Sequence, residues 1–132
     1  MDKFEIKTYE SVGNIILGSD RETVRNNNGN FKEFRKSIIS RNTSDDFKSF
    51  HVYYNPDNTV SAVEFFRESN LYFCNIPLFS KTYNELKTLL MDSNIIEDSS
   101  SLIYKTLGFS IYSPDKNQIE SVIVFEKGYY DW

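Results

Sequence analysis

Two residue types that build most protein active sites are almost missing. The chain has one cysteine, Cys74, and one histidine, His51. A single cysteine forms no internal disulfide, and with a single histidine it cannot complete an ordinary four-ligand zinc site without several carboxylates. No metal and no cofactor is therefore expected. Long apolar runs are also missing. The richest stretches, Asn14-Ile15-Ile16-Leu17 and Ser121-Val122-Ile123-Val124-Phe125, fall far short of the roughly 20 residues that span a bilayer. The opening residues alternate charged and apolar side chains and carry no h-region, so the expectation is a cytoplasmic protein without a membrane partner. Basic excess is absent too: 15 Lys+Arg stand against 19 Asp+Glu, a net charge of -4. That balance argues against a charge-driven grip on nucleic acid. No G-x-G-x-x-G, Walker, G-x-S-x-G or H-E-x-x-H pattern occurs.

Aromatic residues are plentiful. Eleven Phe, nine Tyr and one Trp make up 16% of 132 residues, enough to fill one core. The length suits one domain, residues 1–132. Within it the order of parts recurs, which divides the chain into a first unit, residues 1–69, and a second, residues 70–132. Each unit ends in two Val/Ile/Tyr/Phe-rich runs around a Pro-Asp stretch, Pro56-Asp57-Asn58 and Pro114-Asp115-Lys116. Proline presets a turn angle and Asp bonds back to the main chain, so both read as antiparallel hairpins. Ser19-Asp20-Arg21-Glu22 and Thr82-Tyr83-Asn84-Glu85 have capping-box spacing and predict two helices, the first stopped at Gly29. Residues 31–39 read as a strand or short helix, residues 71–78 as one strand, and Arg41-Asn42-Thr43-Ser44-Asp45-Asp46 as a polar turn. The expected fold is α+β: two tandem helix-plus-β-hairpin repeats forming one antiparallel sheet with helices packed on one face.

This duplicated order, with Leu17-Gly18-Ser19-Asp20-Arg21-Glu22-Thr23-Val24-Arg25 at a helix start, resembles the tandem repeats of beta-lactamase inhibitor proteins and the single unit of outer-membrane assembly lipoproteins. Thr43-Ser44-Asp45-Asp46-Phe47, Val63-Glu64-Phe65-Phe66 and Gly128-Tyr129-Tyr130-Asp131 are similar to small low-GC bacterial proteins, some of which are encoded beside secreted polymorphic toxins as immunity proteins. The resemblance implies a non-catalytic domain that binds and neutralises a partner protein. The inhibitor family's disulfides and signal peptide are lacking, which removes beta-lactamase itself as the target.

Cys74 and His51 could in principle form a thiolate dyad, but Cys74 follows Leu71-Tyr72-Phe73, where a packed, inert thiol is expected. Glu64, inside an apolar strand, is the acid whose position invites attention. In a sheet covered on one face, alternate side chains point to the other. Aligning Phe50 with Phe109 sends Val52 and Ile111 inward and His51, Tyr53, Ser110 and Tyr112 outward; aligning Pro56 with Pro114 reverses one unit. Val63, Phe65, Val122 and Val124 make the better core set, with Glu64, Phe66, Ile123 and Phe125 opposite. The expected partner-binding residues are His51, Tyr53, Glu64, Phe66, Tyr112, Phe125, Tyr129, Tyr130, Asp131 and Trp132, with no catalytic residue among them. An acidic chain suits a basic partner such as a nuclease toxin, and a second copy of the chain or the chain's own long loops are the other covers such a face could take. A small-ligand module with an enclosed cleft and a small hydrolase using Glu64 with His51 are the alternatives.

Overall fold

The computed structural model describes residues 3–90 and 94–130. Thirteen strands and two short helices are present among them. The chain runs β1 (Lys3–Lys7), β2 (Ser11–Val12), β3 (Ile15–Ile16), α1 (Arg21–Asn28), β4 (Lys32–Phe34), β5 (Ser44–Asp46), β6 (Phe50–Tyr54) and β7 (Val60–Phe66). It continues through β8 (Asn70–Phe73), β9 (Ile76–Pro77), a 3-10 turn (Leu78–Ser80), α2 (Tyr83–Leu89), β10 (Ile95–Glu97), β11 (Ser101–Tyr104), β12 (Phe109–Tyr112) and β13 (Ser121–Phe125). Strand accounts for 42% and helix for 14%. Among the described residues no helix is long and apolar enough to cross a membrane.

This overturns the expected α+β fold of two repeats in one helix-covered sheet. There are two sheets: eight strands in the order β10-β11-β12-β13-β7-β6-β5-β4, and five in the order β3-β2-β1-β8-β9. Helices of eight and seven residues are too short to cover a sheet of that width. The smaller sheet does much of the covering instead. Its centre is a parallel pair, Phe4 beside Leu71, and both side chains are buried. The single strand expected over residues 71–78 is broken at Cys74 and Asn75, whose φ angles of 48° and 65° turn β8 back into β9. Cys74 is thereby exposed on the turn, not packed.

Both Pro-Asp hairpins are present, as β6 with β7 and β12 with β13. Their turns also anchor the helices. The N–H of Arg21 donates to Asn58 O at 2.9 Å, and the N–H of Tyr83 to Asn117 O at 2.8 Å. Each satisfies a donor that a helix start leaves without a partner. The capping box predicted at Thr82 and Glu85 forms. In the first helix the cap is Asp20, accepting from the Thr23 N–H, one residue beyond the predicted serine; Gly29 ends the helix at φ 78°.

Alternation gives the large sheet two faces. Val52, Val63, Phe65, Ile111, Val122 and Val124 face inward and are fully buried against Phe4, Ile6, Val24, Leu71, Tyr83 and Leu86. Phe4, Phe50 and Phe65 form the aromatic centre, with ring centroids 5.1 to 5.4 Å apart. The register is the one that matches Phe50 with Phe109: Phe50 pairs with Phe65, and Phe109 with Val124.

Gly13 stands at φ 58°, and a Cβ placed there would lie 2.6 Å from the Phe4 ring. Gly13→Ala should therefore lower the unfolding free energy by about 1–3 kcal/mol, read from urea denaturation, because it adds both backbone strain and a clash in the core.

Candidate functional site

The outward face of the eight-stranded sheet holds His51, Tyr53, Glu64, Phe66, Tyr112 and Phe125. The registers align one row across all eight strands: Ile96, Ile103, Ser110, Ile123, Glu64, His51, Asp46 and Lys32. A second row places Ser101, Tyr112, Ser121 and Phe66 side by side, and a third Phe125, Ala62, Tyr53, Ser44 and Phe34. One end of the face is apolar and serine-floored. The other is charged.

At the charged end the polar groups answer one another. His51 sits between Phe34 and Phe66, each ring centroid 4.8 Å away, and its Nε2 lies 3.4 Å from Asp46 Oδ1. The Tyr53 hydroxyl donates to Glu64. Burial, and then that bond to a carboxylate, push the Tyr53 phenol far above its ordinary range. The Lys36 ammonium lies over the Tyr53 ring, 4.3 Å from its centroid.

Not every expected contact residue is available to a partner. Tyr53 is 8% exposed and Phe125 only 1%, because Tyr129 stacks on Phe125 at 5.4 Å and Tyr130 meets it edge-on at 5.1 Å. Burial pushes the Tyr129 phenol up to about 12. His51, Glu64 and Phe66 are half-buried, and Tyr112 is 39% exposed. Asp131 and Trp132 lie outside the described residues. At the apolar end Ile96, which sequence reasoning missed, is 43% exposed beside half-buried Ile103.

His51 and Glu64 are direct cross-strand partners on this face. Two depressions of the surface lie elsewhere. One of about 690 Å³ is lined by Lys3, Asn27, Phe47, Lys48 and Glu68, and one of about 320 Å³ by Arg67, Pro114 and Glu120. Among the described residues no group of three or more His, Cys, Asp or Glu could hold a metal ion.

The inward side of the β5 edge carries a second polar cluster. Asp45, expected in a solvated turn, is fully buried in β5. Arg21 and Arg25 project from one face of α1 at i, i+4 spacing and reach it at 3.0 and 2.8 Å, and the Tyr54 hydroxyl donates at 2.9 Å. Two arginines at that spacing are the signal that could have marked a buried carboxylate. Burial alone would raise the Asp45 pKa, but the hydrogen bonds from Arg25, Arg21 and Tyr54 outweigh it and hold it below 3.8. Arg25 is pushed up, chiefly by its bond to Asp45. Apart from the buried Arg21 Nε–H, which has no partner, this cluster is internally paired, and it fixes α1 to the sheet beside its β4 edge.

Comparison with protein-family models, curated proteins and solved structures finds no match for this chain.

Asp45→Asn should cost about 3–5 kcal/mol, because it leaves two guanidinium groups at a site stripped of its charge. Since the folded pKa is depressed, Asp45 contributes its stabilisation above the unfolded value and loses it as pH falls through the folded one. Urea midpoints should therefore fall below about pH 4 in the native chain, and less steeply in Asp45→Asn.

Proposed function

We propose that this is a non-catalytic protein-binding domain of the immunity type, docking a partner protein on the outer face of the eight-stranded sheet. The observation that carries this reading is the apolar half of that face. Ile96, Ile103, Ile123, Tyr112 and Phe66 stand half-buried or exposed around the small Ser101, Ser110 and Ser121. Large apolar side chains set over serines give relief into which a partner can pack, and a tyrosine anchors contacts at low entropic cost. Tyr129 and Tyr130 close the middle of the face over Phe125, so the docking area lies beside them over β10–β13 and the β7 margin.

The partner that fits is a basic protein, such as a nuclease toxin. The net charge of -4 speeds encounter with a cation and disfavours acidic competitors. Glu64 supports recognition only through its bond with Tyr53, which holds its carboxylate in place. One feature favours this reading over catalysis: the side chains around His51 and Glu64 are already engaged with neighbours.

Tyr112→Ala with Ile96→Ala should weaken titration-calorimetry binding to a basic toxin encoded by the adjoining gene at least tenfold, and high salt should weaken it further. Unfolding free energy should change by no more than about 1 kcal/mol. Phe125→Ala should instead cost about 3–5 kcal/mol in stability, since its ring is buried under the tail. Unchanged toxin affinity in the double variant would remove the docking area from this face.

A further inference from the structure

After β4 the chain makes a turn that presents Ile38 and Ile39, which are 95% and 87% exposed. Turn tips ordinarily carry Gly, Asn, Asp or Pro, for which water is a good environment. Here two β-branched aliphatic side chains occupy the tip. The turn is built to hold them there. Ser40 N–H donates to Ser37 O at 3.1 Å, Ser37 N–H to Ser40 Oγ at 3.1 Å, Ile39 N–H to Ser37 Oγ at 3.2 Å, and Arg35 to Ser40 O at 2.6 Å.

The flanks are cationic. Residues 32–41 include Lys32, Arg35, Lys36 and Arg41 against the single acid Glu33, a net of +3 in a chain of -4, so the remaining residues together carry -7. Glu33 is itself engaged by Arg25 at 3.1 Å and by the Thr43 hydroxyl at 2.7 Å. Lys36 lies over the Tyr53 ring and Lys32 stands opposite Asp46, so Arg35 and Arg41 are the cations next to the aliphatic tip, a combination that suits an apolar layer beneath an anionic one.

We propose that the Ile38–Ile39 turn is a peripheral membrane contact that inserts into the interface of an anionic bilayer. A bilayer yields to a convex apolar tip without needing a complementary pocket, and long basic side chains next to the tip reach the headgroups while their stems follow the apolar surface. A protein pocket is the less fitting occupant, because interface anchors are mainly aromatic and lysine is depleted there. The expectation of no membrane partner rested on the lack of a spanning run and of an h-region, neither of which bears on a peripheral contact. Net charge averages over this segment, and at physiological salt a surface responds only to charges within about 8 Å. The acidic remainder then directs the rest of the molecule away from the lipid.

The test is cosedimentation of the purified chain with vesicles of phosphatidylcholine alone or mixed with phosphatidylglycerol, at low and high salt. The wild type should pellet with the mixed vesicles at low salt and be released by high salt. Arg41→Gln should reduce partitioning about fivefold. Ile38→Ser with Ile39→Ser should reduce it at least about tenfold with an unchanged melting temperature. A wild type that stays in the supernatant at low salt, or a double-serine variant that pellets as well as wild type, would overturn the proposal. So would self-association in the ultracentrifuge that the same substitutions abolish without any vesicle binding, which would assign the turn to a second copy of the chain.

Discussion

The pairing of β7 with β13 is the contact on which the architecture turns. Five residue pairs, from Ser121 with Phe66 to Phe125 with Ala62, join the strands contributed by residues 32–66 to those contributed by residues 95–125. Because side chains alternate with period two, that register decides the face of every residue in both strands. Val63 and Val124 meet on the inside, and Glu64 and Ile123 on the outside. A slip of one residue in β7 would place Phe65 in water and Glu64 in the core, and a slip in β13 would do the same to Val122 and Ile123. The inner face then has to be covered, and the parallel β1–β8 pair supplies Phe4, Ile6 and Leu71 where the two short helices do not reach.

The two faces solve different problems. The inside buries aliphatic and aromatic rows and admits a charge at the β5 edge, where Asp45 receives bonds from two arginines and a tyrosine. A carboxylate so placed would be costly alone, and paired it ties α1 to the sheet. The outside is closed over its middle by Tyr9, Tyr129 and Tyr130, which pack against Phe125 and its neighbours. A face that is covered at its centre and exposed at its apolar end directs contact to that end.

The parts legible in the sequence are those that local chemistry fixes. Pro-Asp turns between alternating runs gave both hairpins, and Thr82 with Glu85 gave a cap, because these features depend on neighbours in the chain. The smaller sheet was not legible, since β2, β3 and β9 have two residues each and show no periodicity. Cys74 looked buried because it follows Leu71-Tyr72-Phe73, yet a positive φ turns it out to solvent. Asp45 looked solvated because its neighbours are polar; its burial is set by arginines some 20 residues away in the chain. The outward set was right for His51, Glu64, Phe66 and Tyr112. Tyr53 and Phe125 lie on that face but under other residues, and alternation can assign a face without showing what covers it.

Composition misleads most where charge is unevenly placed. A net charge of -4 describes no actual surface when one ten-residue segment carries +3. Phe34 packs against His51, and Lys36 lies over Tyr53, so this segment is attached to the β4 margin of the outer face. The proposed docking area begins at the β10 margin of the same sheet and runs in to Phe66 on β7. Seven interstrand gaps of about 4.8 Å put roughly 34 Å between β4 and β10, but Phe66 and Phe34 each meet the His51 ring at 4.8 Å, so the near edge of that area lies close to the cationic segment. Only its β10 side stands several Debye lengths from Arg35, Lys36 and Arg41 at physiological salt. On the proposed reading a basic partner therefore favours the β10 side, where repulsion from that segment is screened.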